Sequence, residues 1–394
     1  MSFSGQVFMA PERVVFGRGT VRDIGAYVAQ LGGRKPFVVT DPIIAATPAF
    51  QPLLASLHEQ GLPYVLYTDC DVNPTDTQID RGRDLYVAEG CDVIVGVGGG
   101  SNIDTAKSIG IVARNPGSIR DYFVANYVTN PYGIRNTERI PPTIVVPTTA
   151  GTGSEVCCWT VVTNTAENVK GFCGGWTTMP QMAVLDPDLT VSMPPALTAA
   201  TGFDALMHAI EAYYHRYATP LTDMYALSAI ARIVPHLGRA VADGTDIDAR
   251  EQMLLGAMEA GLAMNTGCAL IHSMGLQLTS QFHLSHGETL AIMAGPVMRY
   301  NAEACPERMT DIARSMGWDV GGLSASEAAL AAADAVQHFA KGLGLPTYLD
   351  ASVHDPAVIP RMAIVAEAND NTRGNPRLPA TMAEFEALYH AAYR

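Results

Sequence analysis

Basic residues are scarce in this sequence. Its 394 residues include 25 Lys and Arg against 39 Asp and Glu, which leaves a formal net charge of -14. Binding along a nucleic acid or an anionic membrane requires a basic face that neutralises phosphates, so neither partner is expected. Lysine is rare enough that Lys107 and Lys170, which both stand near glycine-rich or polar motifs, carry information.

Long apolar runs are also lacking. No stretch approaches the roughly 20 apolar residues that span a bilayer, and the N-terminus lacks the pattern of a signal peptide. We therefore predict a cytoplasmic protein. The seven cysteines are scattered and show no CxxC spacing, which predicts reduced thiols that take no part in the mechanism.

The two halves of the chain differ in their apolar pattern. The first half alternates short apolar runs with amphipathic segments, as in KPFVVTD, FQPLLASLHEQG and DVIVGVGGG, which predicts βα units on a parallel sheet. The second half consists of Ala, Leu and Met-rich segments with helical spacing. We predict an α/β domain over residues 1–192 and an all-helical domain over residues 193–394.

A glycine-rich loop follows one of the predicted strands. In DVIVGVGGGSNIDTAKSIG the chain passes through Gly98, Gly99, Gly100 and Ser101 into a helix. Glycines let the backbone approach a diphosphate, and a helix N-terminus offers unpaired N–H groups. The loop favours a nucleotide cofactor, although a tight turn without a ligand has the same pattern.

Polar residues also follow two other predicted strands. A carboxylate at Asp41 accepts hydrogen bonds from ribose and repels a 2′-phosphate, which favours NAD(H) over NADP(H). The alternative for Asp41 is a cap on the next helix. The loop PTTAGTGSEV carries Thr148, Thr149 and Thr152, and is either part of a ligand crevice or an ordinary turn.

An acid and three histidines have a pattern that suits a metal. Asp204 and His208 share a helix face in TGFDALMHAIEAYYH, and His272 and His286 follow in CALIHSMGLQLTSQFHLSHGETLA. One carboxylate and three imidazoles can hold Fe²⁺ or Zn²⁺ and leave a position for substrate. For each histidine the alternative is a hydrogen-bonded core residue.

Two further residues compete for these ligand positions. His283 stands three residues before His286, and Glu211 stands three residues after His208. Spacing alone leaves the choice of ligands open.

These motifs, together with GNPR near the C-terminus, resemble the iron-activated, group III alcohol dehydrogenases, in order and over nearly the whole chain. The resemblance implies a dehydroquinate synthase-like architecture: a Rossmann-like NAD-binding α/β domain followed by an all-helical, metal-binding domain. It also implies an NAD(H)-dependent, divalent-metal-dependent alcohol dehydrogenase or aldehyde reductase that transfers hydride between a primary or secondary alcohol and the nicotinamide. A homo-oligomer, a dimer or larger, is expected.

The resemblance also implies roles for individual residues. It makes Asp204, His208, His272 and His286 the metal ligands, which act in catalysis through Fe²⁺ or Zn²⁺. His283 and Glu211 then become structural or supporting residues, and Lys107 lies near the cofactor. The cofactor contacts implied are Asp41, Asn73, Gly98, Gly99, Gly100, Ser101, Thr148, Thr149, Thr152 and Lys170.

The substrate pocket departs from the family pattern. Many relatives carry a histidine four residues after the equivalent of His272, where this chain has Leu276, and Trp159 and Ala263 are further pocket candidates. Because an apolar side chain can neither relay a proton nor hydrogen-bond a polar substrate, we predict a preference for apolar or larger alcohols over small diols and hydroxy acids. The alternative function is an NAD- and metal-dependent lyase or cyclase of the dehydroquinate synthase type, which needs a basic cluster that the helical half lacks.

Overall fold

Six short strands of the first half pair into one parallel sheet. The computed structural model describes residues 7–130, 134–167 and 169–394. Its strands are β1 (Arg13–Phe16), β2 (Pro36–Val39), β3 (Val65–Tyr67), β4 (Val93–Gly98), β5 (Thr143–Pro147), β6 (Trp159–Asn164), β7 (Val169–Gly174) and β8 (Met182–Leu185). The sheet order is β1-β8-β5-β4-β2-β3, and β6 and β7 form a separate antiparallel ribbon.

The central strands are apolar because helices cover both faces of the sheet. Phe37 and Ile94 belong to one buried apolar cluster, whereas Val38 and Val95 belong to another. Successive side chains of a strand point to opposite faces, so these clusters are the two layers of the core. The covering helices are α1 (Ile24–Gln30), α2 (Pro42–Ala45), α3 (Gln51–Glu59), α4 (Asp76–Ala88) and α5 (Gly100–Arg114).

The order in which successive strands are added to the sheet reverses at one point. From β2 the chain moves to β3 at one edge, then returns to the other side of β2 as β4 and continues to β5. The carboxyl ends of β2 and β4 therefore lie side by side. Open α/β sheets bind ligands in the crevice outside such a reversal.

Helices are the regular elements of the second half of the described chain. They are α6 (Pro195–Tyr214), α7 (Pro220–Ala242), α8 (Ile247–Ala263), α9 (Leu270–Phe282), α10 (His286–Asn301), α11 (Pro306–Ser315), α12 (Ala325–Gly342), α13 (Ile359–Ala368) and α14 (Met382–His390). Helix α6 packs against α7, α8 and α10, which explains why it is apolar on nearly every side. The predicted α/β and helical halves are confirmed.

The chain divides into two compact units, and the second begins at Met193. Within the described residues, no single helix is both long and apolar enough to cross a membrane. The segments Ile247–Thr266 and Leu270–Phe282 meet that test only as a pair bent by 107°.

Candidate metal and cofactor sites

Helix α6 carries three polar side chains on one buried stripe. Asp204, His208 and Glu211 follow each other at helical spacing, and each is less than 7% exposed, at 4%, 6% and 0%. Spacings of three and four residues place side chains on one face of a helix, so the stripe follows from local geometry. A carboxylate without partners in such surroundings would be costly, so the stripe requires partners from other helices.

Three imidazoles converge on Asp204. Its Oδ1 lies 3.4 Å from His208 Nε2, 3.4 Å from His272 Nε2 and 3.6 Å from His286 Nε2. The rings of His208 and His272 stack with their centroids 4.7 Å apart. The structure thus brings together all four predicted ligands.

Helix α10 approaches α6 closely enough to deliver His286. A Cβ atom on Gly287 would lie 2.2 Å from the backbone oxygen of Ala200, so no larger residue fits between the two helices. Ser285 and Glu288 form a capping box that starts α10 at His286. Local capping and one close contact therefore determine the position of this imidazole.

Glu211 holds His272 in one orientation. His272 Nδ1 donates to Glu211 Oε2 at 2.5 Å, and the carboxylate also accepts from the backbone amides of Ala269 and Ile271 at 2.9 and 2.6 Å. Because a carboxylate only accepts, Nδ1 of His272 carries a proton, and Nε2 is the ring nitrogen directed at Asp204. Burial raises the pKa of Glu211, but His272 and the two amides outweigh burial and lower it.

Asp204 is ionised for a similar reason. Burial raises the pKa of its carboxyl, but the neighbouring His208, His286 and His272 outweigh burial and hold it below the usual range. The centre therefore keeps a carboxylate as an oxygen donor at neutral pH.

Two further residues, His283 and Cys268, are expected from the sequence to lie outside the ligand set. His283, considered as a competing ligand, is exposed in the left-handed backbone region with a φ of 57° and lies outside the cluster. Cys268, expected to be a thiol without a role, lies beside the cluster, since its sulfur and one donor atom each of His208 and His272 fall within 4.8 Å of one another. The sequence indication of this proximity was the position of Cys268, four residues before the predicted ligand His272.

The GNPR segment supports the end of α6. His215 is buried there: its Nδ1 accepts from the amide of Tyr217 at 3.2 Å, and its Nε2 donates to the carbonyl of Cys268 at 3.1 Å. A Cβ atom on Gly374 would lie 1.8 Å from His215 Nε2, which explains the glycine in that motif. The neutral imidazole satisfies both hydrogen bonds, whereas a protonated ring would oppose the Tyr217 amide with a second donor.

We therefore expect His215 to make stability depend on pH. Burial lowers the pKa of His215 from 6.5 to about 4. Between pH 4 and 6.5 the His215 imidazole is protonated in the unfolded chain but neutral in the folded one. Its contribution to the free energy of unfolding is therefore complete above pH 6.5 and falls by about 3 kcal/mol as the pH drops toward 4. Urea midpoints of chelator-treated protein should fall less steeply over this range in His215→Gln than in the wild type. Parallel curves would contradict this prediction.

The predicted ribose acid lies beside the glycine loop. Asp41 Oδ1 accepts from the amides of Ile43 and Ile44 at 2.8 and 2.9 Å, so the residue does cap α2. Its Oδ2 accepts from Asn102 Nδ2 at 2.6 Å, which ties the end of β2 to the start of α5. The cap and the position beside the loop are thus compatible, because each carboxylate oxygen can accept more than one hydrogen bond.

The threonine loop packs directly against the glycine loop. The amide of Thr148 donates to the carbonyl of Gly98 at 2.9 Å, and a Cβ atom on Gly100 would lie 2.7 Å from the Thr152 side chain. A Cβ atom on Gly99 would lie 3.5 Å from Thr149. The two polar loops, whose contacting residues are 50 to 52 positions apart in sequence, therefore form one surface at the carboxyl ends of β4 and β5.

The remaining predicted cofactor residues extend this surface through a chain of hydrogen bonds. Ser101 Oγ donates to the carbonyl of Val72 at 2.5 Å, next to Asn73. The amide of Thr163 donates to the carbonyl of Pro74 at 2.7 Å, and Thr163 pairs with Lys170 across the β6–β7 ribbon. Asn73 and Lys170 are both exposed there.

Lys107 lies against the end of the threonine loop, on its buried side. It is fully buried, and its ammonium donates to Ser154 Oγ at 2.8 Å and to the carbonyls of Ser154, Cys157 and Trp159 at 3.0, 3.1 and 2.8 Å. Asp104 Oδ1 lies 3.4 Å away. Lys107 thus anchors the chain that leaves the threonine loop, rather than facing solvent.

The predicted pocket residues belong to different units. Trp159 is half-buried in β6 and its ring lies 5.8 Å from that of Tyr127. In the helical unit, Ala263 is fully buried at the end of α8, and Leu276 is half-buried one turn after His272 on α9.

Comparison with known proteins gives consistent matches over the chain. The family description "Iron-containing alcohol dehydrogenase" matches residues 11–187, and "Fe-containing alcohol dehydrogenase family, C-terminal" matches residues 198–393. The chain is 40% identical to a choline dehydrogenase of Bacillus subtilis (strain 168), covering 94% of this chain and 91% of that protein. It is 38% identical to an NAD-dependent methanol dehydrogenase of Bacillus methanolicus, covering 94% and 96%. A crystal structure of a 1,3-propanediol oxidoreductase superposes with a TM-score of 0.93 at 36% identity, covering 99% of this chain and 100% of that one.

These matches define an oxidoreductase that interconverts alcohols and aldehydes with NAD. The chain belongs to the iron-containing alcohol dehydrogenase family, and the predicted dehydroquinate synthase-like fold is confirmed.

Proposed function

We propose that residues 193–394 hold a divalent metal, iron in the first instance, through Asp204, His208, His272 and His286. The observation that carries this proposal is the convergence of three Nε2 atoms within 3.4–3.6 Å of Asp204 Oδ1. Two ligands each ~2.1 Å from a tetrahedral ion lie ~3.4 Å apart, so the residues fit such an ion. One carboxylate and three imidazoles suit Fe²⁺ and also Zn²⁺.

The protein supplies orientation and charge to this centre. A bound divalent ion supplies Lewis acidity, which lowers the pKa of an alcohol hydroxyl or polarises an aldehyde carbonyl. Glu211 keeps the Nε2 lone pair of His272 directed at the centre and supports the basicity of the ring. Asp204 adds one negative charge, which offsets part of the charge of the ion.

We assign NAD to the α/β unit, residues 1–192. The start of α5 has no side-chain cap, so its first amides are available to a diphosphate beside Gly98, Gly99, Gly100 and Ser101. Gly98 has a φ of 139°, and a Cβ atom there would lie 2.0 Å from Asn102 Nδ2, so the loop requires glycine. NAD supplies the hydride acceptor, and Asn73, Thr148, Thr149, Thr152 and Lys170 are the further contacts that we propose.

Asp41 should set the preference between the two nicotinamide cofactors. Its carboxylate at the carboxyl end of β2 repels a 2′-phosphate, so the wild type should prefer NADH over NADPH. Asp41→Gly should narrow or reverse the ratio of kcat/KM values for the two cofactors without changing the bound metal. Asp41→Gly also removes the cap on α2. The matched control is Asp41→Asn, which keeps a capping oxygen but loses the charge, and so separates the effect of the charge from the loss of the cap. A wild-type preference for NADPH would contradict the assignment.

Leu276 should favour apolar or larger alcohols over small diols and hydroxy acids. It offers no hydrogen bond, so Leu276→His should raise kcat/KM for a small diol relative to an apolar alcohol by about tenfold, the effect of one hydrogen bond of about 1.4 kcal/mol. Leu276→Phe supplies a ring without a polar nitrogen and is the matched control. If the wild type already prefers the diol and the ratio does not change, Leu276 does not determine specificity.

The decisive experiment follows NADH absorbance during alcohol oxidation. Metal-depleted protein should gain activity with Fe²⁺ or Zn²⁺ across a panel of alcohols, and NADH should accumulate with each turnover. A dehydroquinate synthase-type lyase regenerates its NAD within the turnover, so no net NADH would appear. Activity that does not depend on metal would overturn the proposed site.

A cytoplasmic location and assembly into a homodimer or larger homo-oligomer stay predictions from the sequence and the family.

A further inference from the structure

The GNPR loop, residues 370–377, contacts each of the three helices that carry the proposed metal ligands. Asp204 and His208 lie on α6, His272 on α9 and His286 on α10. The loop itself supplies none of these ligands, and neither does α13, which precedes it. Its Asp, Asn and Thr side chains are nevertheless buried, which is unusual for a connecting segment and requires specific partners. Those partners therefore indicate which elements the loop holds together.

The contact with α9 is made beside a proposed ligand. Thr372 Oγ1 donates to the carbonyl of Ala366 at 2.7 Å, and it shares a second hydrogen bond of 2.8 Å with Ser273 Oγ. Ser273 directly follows His272 in α9, and both hydroxyl-bearing residues are buried, with Thr372 1% and Ser273 0% exposed. A shift of the loop would therefore displace the turn of α9 that carries a ligand.

The contact with α10 is a reciprocal pair of side-chain amides. Asn375 Nδ2 donates to Asn301 Oδ1 at 2.7 Å, and Asn301 Nδ2 donates back to Asn375 Oδ1 at 2.9 Å. Both residues are fully buried. Asn301 is the last residue of α10 and His286 is the first. Because each residue of a helix is turned by about 100° from the one before, the amide pair restricts the rotation of α10 and with it the direction of the His286 side chain.

The contact with α6 is made by the backbone. The amide of Arg216, just beyond the end of α6, donates to the carbonyl of Gly374 at 2.9 Å. The same glycine packs against the ring of His215, where a Cβ atom would not fit. The loop therefore fixes the end of the helix that carries two of the proposed ligands.

A buried path also leads from the loop to the support of His272. Asn301, the partner of Asn375, reaches the hydroxyl of Tyr214. Burial raises the pKa of Tyr214 well above its ordinary value, so the hydroxyl keeps its proton and donates it to Glu211 Oε1 at 3.4 Å. Glu211 in turn orients His272. The amide pair thus borders the same network that aims one ligand.

We propose that the GNPR loop sets the positions of α6, α9 and α10 relative to one another, and that Thr372 and Asn375 are positioning residues of the metal site. The inference rests on the four ligands proposed above. Loss of either side-chain contact leaves every ligand in the chain but lets one helix shift against the others. Residues that support a metal ligand without binding the ion contribute about 10–100-fold to affinity, so the effect should be measurable.

The test measures the affinity of metal-depleted protein for Zn²⁺ against a competing chelator. Thr372→Val keeps the shape of the side chain but removes the hydroxyl, and Asn375→Ala removes the amide pair. Each should raise the dissociation constant for Zn²⁺ at least about tenfold. Thr372→Ser restores the hydroxyl, so its dissociation constant should stay within about threefold of the wild-type value.

A control variant separates positioning from general stability. Arg232 of α7 pairs with Glu259 of α8 at 3.1 Å, and neither helix carries a proposed ligand. Glu259→Ala should lower the urea midpoint of unfolding but leave Zn²⁺ affinity unchanged. If it weakens Zn²⁺ binding as much as Thr372→Val does, or if Thr372→Val and Asn375→Ala both bind Zn²⁺ like the wild type, the inference is overturned.

A second measurement uses the unaltered protein. Because coupling between two sites is reciprocal, bound Zn²⁺ should in turn hold the loop and slow its hydrogen exchange. The amides to follow are those of Arg216 and Asn375, which donate to the carbonyls of Gly374 and Thr372. Unchanged exchange at both amides on Zn²⁺ binding would overturn the inference and leave the four proposed ligands standing. Failure of the wild type to bind Zn²⁺, or undiminished binding by His272→Ala, would overturn the proposed metal site itself.

Discussion

Replacing His272 with alanine should abolish metal binding and lower kcat/KM by at least about a thousandfold while the fold persists. The variant removes one Nε2 donor and also leaves Glu211 without its partner in a fully buried position. Changes to residues that only support a metal ligand already cost about 10–100-fold in affinity or activity, so loss of a ligand should cost more. Metal content measured after gel filtration, together with NADH formation at saturating Fe²⁺ or Zn²⁺, checks this expectation.

The matched control for this experiment is a second histidine nearby in the chain. His283 ends α9 in the left-handed region and is exposed, and asparagine tolerates that backbone conformation. His283→Asn should therefore keep its metal and its rate. Full activity of His272→Ala, or of wild-type protein stripped of metal, would refute the role of the centre.

Lys107→Met should destabilise the protein and weaken NADH binding together. The substitution leaves Ser154 Oγ and three backbone carbonyls, buried or partly buried, without their donor, and it removes the counter-charge of Asp104. Removing one partner from such a buried network costs about 3–5 kcal/mol. Because Lys107 holds the chain that continues the threonine loop, the dissociation constant for NADH should rise at least about tenfold.

The comparison for this variant is an exposed lysine. Lys341, at the end of α12, is exposed, so Lys341→Met should leave both the thermal midpoint and NADH affinity nearly unchanged. NADH titration by fluorescence and a thermal melt separate the two effects. A Lys107→Met protein with wild-type NADH affinity would show that the lysine supports the fold without organising the cofactor loop.

Much of the fold follows from local pattern. The continuous Val and Ile runs of β2, β4 and β5 predict strands buried on both faces, and the Ala and Leu-rich segments after residue 190 predict helices. Side chains repeat their direction every two residues in a strand and every 3.6 residues in a helix because of the local backbone geometry. The apolar pattern within a single segment is therefore enough to predict its type. For the same reason Asp204, His208 and Glu211 could be placed on one face of α6 from spacing alone.

The sequence alone therefore determined the kinds of elements, the polar stripe on α6 and the glycine loop that opens α5. The tertiary structure decided which of these polar groups meet. His272 and His286 reach Asp204 only because α9 and α10 pack on α6, where Gly287 permits the close approach. Asp41 reaches Asn102 only because β2 and β4 are neighbours in the sheet. The positions of Lys107 and Cys268 depend likewise on long-range packing, which the spacing of residues along the chain does not record.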